Sequence, residues 1–211
     1  MPAKVFTATG ESKGTLALPE TLFAAPINWG LMHQLLVLQQ SNRRQSAAHV
    51  KTRGEVQGST KKLYAQKHTG QARRGPVRSP LLRGGGKAFG PRNDKNFVKH
   101  MPQQMRHAAI RSCLSLQAGK DAILILESYP ETIKTKAFHD LLKKLPVQVG
   151  RRLLFVVPEK HDALYMSSRN VPRVKIIRAA YLNPEDILLA TSIIFVGNAI
   201  DQAAKVFTPV K

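Results

Sequence analysis

Apolar residues follow two spacings along this chain, and a central stretch follows neither of them. Four short apolar runs, interrupted only by Lys175, predict buried strands at 122–126, 153–157, 174–177 and 193–196. Apolar residues at helical spacing predict helices over 27–42, 102–118, 135–144, 161–168, 184–190 and from Asn198 through Val206. Buried strands that alternate with helices are typical of a parallel sheet covered on both faces. We therefore predict an α/β fold, a three-layer α/β/α domain with a mostly parallel sheet of about four strands.

Two of the predicted helices, over 27–42 and 102–118, flank the central stretch. The second helix has an apolar stripe that consists of Met105, Ala109, Cys113 and Leu116. Because the two helices border the stretch on both sides, we expect its ends to return to one place. The domain prediction is a globular α/β domain formed by 1–44 and 98–211. Residues 45–97 form a long extended loop, which we call the arm.

Composition sets the arm apart from the rest of the chain. Residues 43–98 hold 14 of the 33 Lys and Arg side chains and two of the 13 acids, Glu55 and Asp94, a net charge of +12 out of +20. The same residues hold eight of the 14 glycines, and 65–76 contains no large apolar side chain. Such a segment buries too little apolar surface to offset its ordering entropy. We expect it to be mobile when it is alone in water.

A compact cluster of positive charge indicates a polyanionic partner, because the cations repel one another until phosphates neutralise them. An irregular, glycine-rich segment favours folded RNA over duplex DNA, for which no recognition helix is visible. Arginine binds phosphate oxygens in pairs, lysine acts as a point charge, and Tyr64 and Phe89 are candidates to stack on exposed bases. The predicted RNA-binding residues are Arg43, Arg44, Lys51, Arg53, Lys61, Lys62, Tyr64, Lys67, Arg73, Arg74, Arg78, Arg83, Lys87 and Arg92.

The sequence lacks the residues that a nucleotide-binding loop, a disulfide framework or a metal site would need. The run Gly84–Gly86 with Lys87 is not a phosphate-binding loop, because Ala88 stands where Ser or Thr would hold a magnesium ion. A lone Cys113 excludes a disulfide framework and a cysteine zinc site, and the histidines lack metal-ligand spacing. We predict no catalytic residues, no metal and no cofactor. Two alternatives remain open: an RNA-processing enzyme that uses the arm to capture its substrate, and a free RNA chaperone.

Targeting signals are also lacking. The chain has no apolar run of about 18 residues, the length that a membrane span needs, and its N-terminus lacks the apolar core of a signal peptide. We expect an intracellular, soluble protein with no membrane partner.

Short motifs in the arm resemble the bacterial-type L-four family of large-subunit ribosomal proteins. The motifs are KTRGEV at 51–56, QKHTGQAR at 66–73, RSP at 78–80 and RGGG at 83–86, with NRRQ at 42–45 and SRN at 168–170. The resemblance runs in order along essentially the whole chain. It implies a three-layer α/β domain on the surface of the large subunit and an arm that penetrates the large-subunit rRNA.

The same resemblance implies the arm's partners. The tip of the arm, placed at Gln66, Lys67, His68, Thr69 and Gly70, would line the narrow part of the polypeptide exit tunnel. There it would meet the nascent polypeptide and face the loop of the L-twenty-two family protein, one of several neighbouring ribosomal proteins. Members of the family bind rRNA early in subunit assembly and have no catalytic activity or cofactor. The implied location is the large ribosomal subunit in the cytoplasm, with an organellar ribosome left open.

The chain departs from the usual family pattern near the tip. Leu63, Tyr64, Ala65, His68 and Gln71 stand where the family commonly has Pro, Trp, Arg, Gly and Arg. Two cations are lost, so we expect a less positive tunnel lining. A histidine in place of glycine also restricts positive φ at residue 68.

Overall fold

The computed structural model describes residues 1–208, which divide into two compact units. The first, which we call the globular unit, comprises Met1–Gln40 and the chain from His100 onward, and the second is Ser41–Lys99. Helices and strands lie in the globular unit, apart from the end of the second helix. In chain order the elements are β1 Pro2–Phe6, β2 Ser12–Ala17, α1 Glu20–Phe23, α2 Trp29–Asn42, α3 Gln103–Ala118, β3 Ile123–Leu126, α4 Thr135–Lys144, β4 Leu153–Val157, α5 Asp162–Ser168, β5 Val174–Arg178, α6 Pro184–Leu189, β6 Ser192–Val196 and α7 Ala199–Phe207.

The strands form one sheet in the order β2-β1-β3-β6-β4-β5. β1 and β2 pair antiparallel, and every other neighbouring pair is parallel. In the centre of the sheet Ile123 lies opposite Ile193, and Leu153 lies opposite both Ser192 and Val174. The predicted α/β fold with a mostly parallel sheet is therefore confirmed.

Alternate residues of the central strands enter two separate apolar cores. Ile123 and Ile125 of β3 belong to one core, with side chains from α1, α3, α6 and α7, whereas Leu124 and Leu126 belong to the other, with side chains from α4 and α5. Successive side chains of a strand point to opposite faces, so a sheet covered on both faces needs an apolar residue at every position. β3 and β4 are buried throughout, as this requires. The three layers are those that the sequence predicts.

The sheet has six strands in the described chain, where the sequence predicts about four. The two additional strands, β1 and β2, lie in the first 17 residues, for which no strand was predicted. β2 is exposed at all six positions and contains Gly14, so it has no apolar signal. In β1 only Ala3 and Phe6 are buried, too few to stand out as an alternating pattern.

The buried face of α3 also differs from the predicted stripe. Ala109 and Cys113 are buried as predicted, and Leu116 is half-buried against the same core, but Met105 is 40% exposed. The face also includes Ile110 and Leu114. Burial raises the pKa of the Cys113 thiol to about 12, so the residue is an inert core side chain at neutral pH. None of the helices in residues 1–208 combines the length and apolar character that crossing a membrane requires.

Candidate nucleic-acid interface

Hydrogen bonds join the two ends of the second unit, where the chain enters and leaves the arm. The Ser41 hydroxyl donates to the Phe97 carbonyl at 2.6 Å. The Lys99 N–H donates to Asn42 Oδ1 at 2.7 Å, and Asn42 Nδ2 donates to the Lys99 carbonyl at 3.2 Å. The amide of Asn42 thus pairs with a backbone unit 57 residues further along the chain. The expectation that the ends of the arm return to one place is confirmed.

Phe97 collects two cations at these ends. The Arg44 guanidinium lies 4.3 Å from the centre of the Phe97 ring, and Lys95 Nζ lies 5.3 Å from it. Both distances are within the range of cation–π attraction. Arg44, a predicted RNA-binding residue, therefore has its planar group positioned by an aromatic face while its side chain remains exposed.

Beyond these ends, residues 46–58 and 78–92 pack against each other, and we call them together the arm root. The Lys87 N–H donates to the Lys51 carbonyl at 2.9 Å, and the Gly86 N–H donates to the Arg78 carbonyl at 3.1 Å. A Cβ atom at Gly86 would lie 2.2 Å from the backbone nitrogen of Arg53, closer than any side chain permits. Gly86 is the single buried residue in 41–99. Glycine is required at this position because two chain segments approach each other closely, and this requirement does not depend on any contact with RNA.

Glu55 connects both halves of the arm root. Its Oε2 accepts the Thr52 N–H at 2.9 Å, and Arg92 Nη1 donates to its two oxygens at 2.9 and 2.8 Å. The backbone hydrogen bond from Thr52, followed by the bond from Arg92, lowers the pKa of Glu55 from its usual value. His49 Nε2 lies 4.0 Å from the same carboxylate. One acid in the basic arm therefore holds together segments that are 37 residues apart.

Arg78 has a similar internal contact. Its Nη1 donates to the carbonyls of Val56 at 3.3 Å and Gly54 at 3.5 Å. Arg78 and Arg92 were predicted from the sequence as RNA-binding residues, and both are half-buried. Their guanidinium groups hold the backbone of the arm root in place, and an RNA contact for either residue stays a prediction.

Residues 62–76 of the arm form a short hairpin. Lys62 and Pro76 form an isolated antiparallel bridge, and the Leu63 N–H donates to the Gly75 carbonyl at 3.3 Å. The Tyr64 hydroxyl donates to the Ala72 carbonyl, which closes the hairpin nearer its turn. Residues 66–70, the predicted tip, are exposed and lie in that turn.

His68, in the hairpin turn, has a φ of +65°, in the left-handed region. The sequence predicted that histidine would restrict positive φ at this position, and the turn adopts it nevertheless. Asn, Asp and His are the side chains most often found there after glycine, which makes the substitution tolerable.

Most of the predicted RNA-binding side chains face solvent. Tyr64, Arg78 and Arg92 are half-buried, and each has the internal contact described above. The remaining eleven are exposed: Arg43, Arg44, Lys51, Arg53, Lys61, Lys62, Lys67, Arg73, Arg74, Arg83 and Lys87. An array of exposed cations on an irregular, hydrogen-bonded backbone suits the phosphates of a folded polyanion better than it suits a small ligand.

Sequence reasoning missed the structural roles of Glu55 and Phe97. The sequence did contain a signal for Glu55. An acid among 14 cations weakens phosphate binding, so its presence there indicates a structural role. Phe97 gave no comparable signal, since its use as a cation platform depends on how the chain returns to Arg44.

Two cavities in the globular unit lie at the amino ends of β4 and β5. The larger, about 380 Å³, includes Lys136, His139 and Arg151 in its lining, and the smaller, about 290 Å³, includes Arg152 and Lys175. In open α/β sheets, ligands bind beyond the carboxyl ends of the strands, at the opposite edge. Residues 1–208 contain no group of three or more His, Cys, Asp and Glu side chains that could hold a metal ion.

Comparison with known proteins gives one consistent family. The model of the "Ribosomal protein L4/L1 family" matches residues 16–206. The "Large ribosomal subunit protein uL4" of Dehalococcoides mccartyi is 39% identical over 209 residues, covering 98% of each chain. The proteins of the same name from Halothermothrix orenii and Neisseria gonorrhoeae are each 36% identical, the first over 95% of this chain and 96% of its own, the second over 96% and 97%.

These matches extend across the globular unit and the arm alike, so the arm is part of what the relatives share. The resemblance that the arm motifs indicated is confirmed. The chain belongs to the Ribosomal protein L4/L1 family as a bacterial-type member, and is accordingly a ribosomal protein and not an enzyme.

Proposed function

We propose that this protein is a structural constituent of the large ribosomal subunit whose arm binds large-subunit rRNA. The globular unit anchors the chain, and the arm supplies the cations that replace counterions around the RNA backbone. The exposed array of eleven cations carries the proposal, because it stands on a backbone held by its own hydrogen bonds. Contacts to phosphate fix position and orientation without reading sequence, which is what a structural protein needs.

The arm root and the hairpin have different parts in this proposal. The arm root presents Lys51, Arg53 and Lys87 on crossed segments whose geometry is set by Gly86 and Glu55. Because this arrangement is preorganised, binding to phosphates loses less conformational entropy than ordering a free chain would. The arrangement supports binding early in subunit assembly, when the RNA around the arm is itself still folding.

The hairpin turn at Gln66–Gly70 is proposed to line the polypeptide exit tunnel. Its support is the resemblance of QKHTGQAR at 66–73 to the family motif, together with the exposure of every residue in the turn. The proposed neighbours there are the nascent polypeptide and the L-twenty-two family protein. The proposed location is the large subunit of a cytoplasmic ribosome.

The main test measures binding to large-subunit rRNA between 50 and 200 mM salt. If the arm neutralises about 6–10 phosphates, affinity falls by about three to five decades across that range, with the duplex-DNA rule as a guide. The triple substitution of Lys51, Lys61 and Lys87 by Gln should weaken binding and lower the salt slope by about three, one for each lost phosphate contact.

A matched variant controls for net charge. Lys120, Lys136 and Lys143 are exposed lysines of the globular unit, and changing them to Gln removes the same three charges. We expect a smaller loss of affinity and a smaller change in slope for this variant. Equal effects of the two triple variants would contradict an RNA interface concentrated on the arm, and a flat salt response of the unmodified protein would contradict the electrostatic mechanism.

Sedimentation separates a ribosomal constituent from a free RNA chaperone. The protein is expected to travel with the large subunit in stoichiometric amount after a high-salt wash, because the arm is enclosed by folded RNA. A protein that washes off as a free pool while its RNA binding persists would favour the chaperone alternative.

A deletion tests whether the globular unit folds independently of the arm. Removing 60–76 is expected to leave thermal unfolding of the globular unit cooperative, since neither apolar core contains a residue from that range. Loss of cooperative unfolding in the deletion variant would contradict the division into a self-sufficient anchor and an RNA-binding arm.

A further inference from the structure

Phe89 is the most exposed of the large apolar side chains in residues 1–208, and its backbone is unusual. Its φ is +52°, in the left-handed region that a bulky side chain rarely enters. A residue in this conformation is strained, and the conformation persists only where the surrounding structure enforces it. A fully exposed ring does not offset that strain through packing inside the arm, so its position calls for another explanation.

Two hydrogen bonds, one on each side of Phe89, hold the chain in this conformation. The Lys87 N–H donates to the Lys51 carbonyl at 2.9 Å, and the Val50 N–H donates to the Pro91 carbonyl at 3.1 Å. Residues 87–91 are thereby fixed against residues 50–51 as a short loop. Phe89 occupies the middle of that loop.

Close packing at the next residue strengthens this constraint. A Cβ atom at Gly90 would lie 2.1 Å from Val50 Cγ2, so the loop is pressed against the Val50 side chain, which would have to move to admit a side chain at residue 90. With Gly90 directed inward and both ends of the loop bonded, the Phe89 ring remains in solvent. The arm root thus presents an aromatic face on a backbone that cannot easily withdraw it.

Two exposed lysines lie near Phe89 along the loop. Lys87 precedes it by two residues, and Lys51 is brought beside Lys87 by their backbone hydrogen bond; both side chains are exposed. An exposed aromatic face flanked by phosphate-binding cations is how proteins hold unpaired nucleotides, with the base stacked on the ring and the phosphates on the cations. We propose that Phe89 is a stacking platform for one unpaired base of the RNA that the arm binds.

This inference rests on the proposed RNA-binding function and distinguishes between the two aromatic candidates of the arm. Tyr64 is half-buried, and its hydroxyl is used to close the hairpin through the Ala72 carbonyl. Phe89 makes no such internal contact with its ring. Stacking is therefore assigned to Phe89, and Tyr64 is a residue of the hairpin's own structure.

The test uses three substitutions of Phe89 and measures affinity for large-subunit rRNA at fixed salt. Phe89→Tyr retains the aromatic face and should bind like the unmodified protein. Phe89→Leu and Phe89→Gly remove the face and should weaken binding by roughly 5- to 150-fold, the range that one stacked base contributes. Glycine adopts positive φ without strain, so Phe89→Gly relaxes the backbone while it removes the ring. A purely structural role would make that variant neutral or favourable.

Leu81 provides the matched control, because it is 93% exposed in the same arm and has no aromatic face. Leu81→Gly should leave rRNA affinity within about twofold of the unmodified protein. A fluorescence measurement adds a direct readout: with Trp29→Phe as background, Phe89→Trp should be quenched on binding RNA, and Leu81→Trp should not.

Failure of the inference is distinguishable from failure of the proposed function. If the unmodified protein shows salt-dependent rRNA binding and Phe89→Gly binds equally well, the stacking proposal is overturned and the function stands. If the unmodified protein does not bind rRNA, the proposed function fails and takes the stacking proposal with it. Normal RNA binding by Phe89→Gly, combined with loss of binding to an isolated ribosomal protein, would also overturn stacking and assign Phe89 to a protein contact.

Discussion

The globular unit and the arm are ordered by opposite means. The globular unit buries Phe138, Phe155 and Phe195 completely, and two apolar cores sandwich its sheet. In the second unit, by contrast, a glycine is the one buried residue, and the chain is held by hydrogen bonds, an ion pair and close backbone approach. One region gains stability from apolar area removed from water, and the other from polar contacts that water can compete for.

This difference explains where each region keeps its charge. A domain with an apolar core is stable on its own, so its surface charges are free to vary. The arm root instead uses a few polar groups, chiefly Glu55, Arg78 and Arg92, to hold its shape, and leaves its other cations on the outside. Such a segment suits a partner that adds the missing stabilisation by neutralising those cations.

The largest expected effect comes from the apolar core. Phe155 is fully buried, and its ring centre lies 5.4 Å from that of Phe138, so Phe155→Ala should lower the free energy of unfolding by about 3–5 kcal/mol. Denaturant unfolding measures this change. Phe89→Ala, an identical substitution in the arm, should leave the free energy of unfolding unchanged, since its ring packs against nothing. Comparable losses in both variants would contradict the contrast between the regions.

A glycine of the arm root gives the next largest effect. Gly86→Ala places a methyl group 2.2 Å from the Arg53 nitrogen, so the two segments must separate. Forcing extra atoms into packed structure costs about 1–3 kcal/mol or more, here as local opening of the arm root. Amide hydrogen exchange should show lost protection at the Lys87 and Gly86 N–H groups, with the unfolding midpoint of the globular unit unchanged.

Gly75→Ala is the matched control for that substitution. Nothing lies within 4 Å of a Cβ at Gly75, and its backbone does not need positive φ. Protection in the arm root should therefore be the same as in the unmodified protein. If Gly86→Ala behaved like Gly75→Ala, close backbone approach would not be what orders the arm.

The sequence predicts the globular unit better than the arm, because only the globular unit is ordered by apolar burial. β3, β4 and β6 were predicted almost to the residue, because a strand buried on both faces must be apolar throughout. The edge strand β5 was located from Val174, Ile176 and Ile177, although it is only half-buried. β2 was missed because it is fully exposed and polar at an edge, where backbone pairing alone defines it. The apolar pattern indicates which segments are buried, so it does not predict strands that are exposed.

In the arm, composition predicts a chemistry and leaves the geometry undetermined. Charge and glycine content identified a polyanion-binding segment, and the motifs identified its family. The internal contacts of Arg78 and Arg92, and the left-handed conformations of His68 and Phe89, depend on which distant backbone each residue meets. Those contacts join residues separated by 22 and 37 positions, and no periodicity connects them.

Acid should open the arm root by protonating Glu55. The pKa of Glu55 is lowered in the folded arm, so its ionised form is favoured by folding. The stabilisation it provides is complete above the usual value of 4.5 and is lost as pH falls through the lowered pKa. Hydrogen exchange near pH 3, compared with pH 6, should show greater opening at Thr52 and Val56 relative to the intrinsic rates. Glu55→Gln should show that opening at both pH values; a pH response that persisted in this variant would assign the effect to another group.

The smallest predicted effect comes from a titrating group of the globular unit whose effect begins at a higher pH than that of Glu55. His107 of α3 packs edge-on against Phe207 with ring centres 5.3 Å apart, and burial, followed by repulsion from Arg106 and Arg111, lowers its pKa. Since the unfolded chain binds this proton more readily, stability declines as pH falls below about 6.5, and the loss is complete below the lowered pKa. The denaturant midpoint should therefore be slightly lower at pH 5.5 than at pH 8, and His107→Gln should remove this difference. Because the group responsible lies between α3 and α7, protection in the arm root should be the same at both pH values; a parallel change there would mean that the two regions do not open independently.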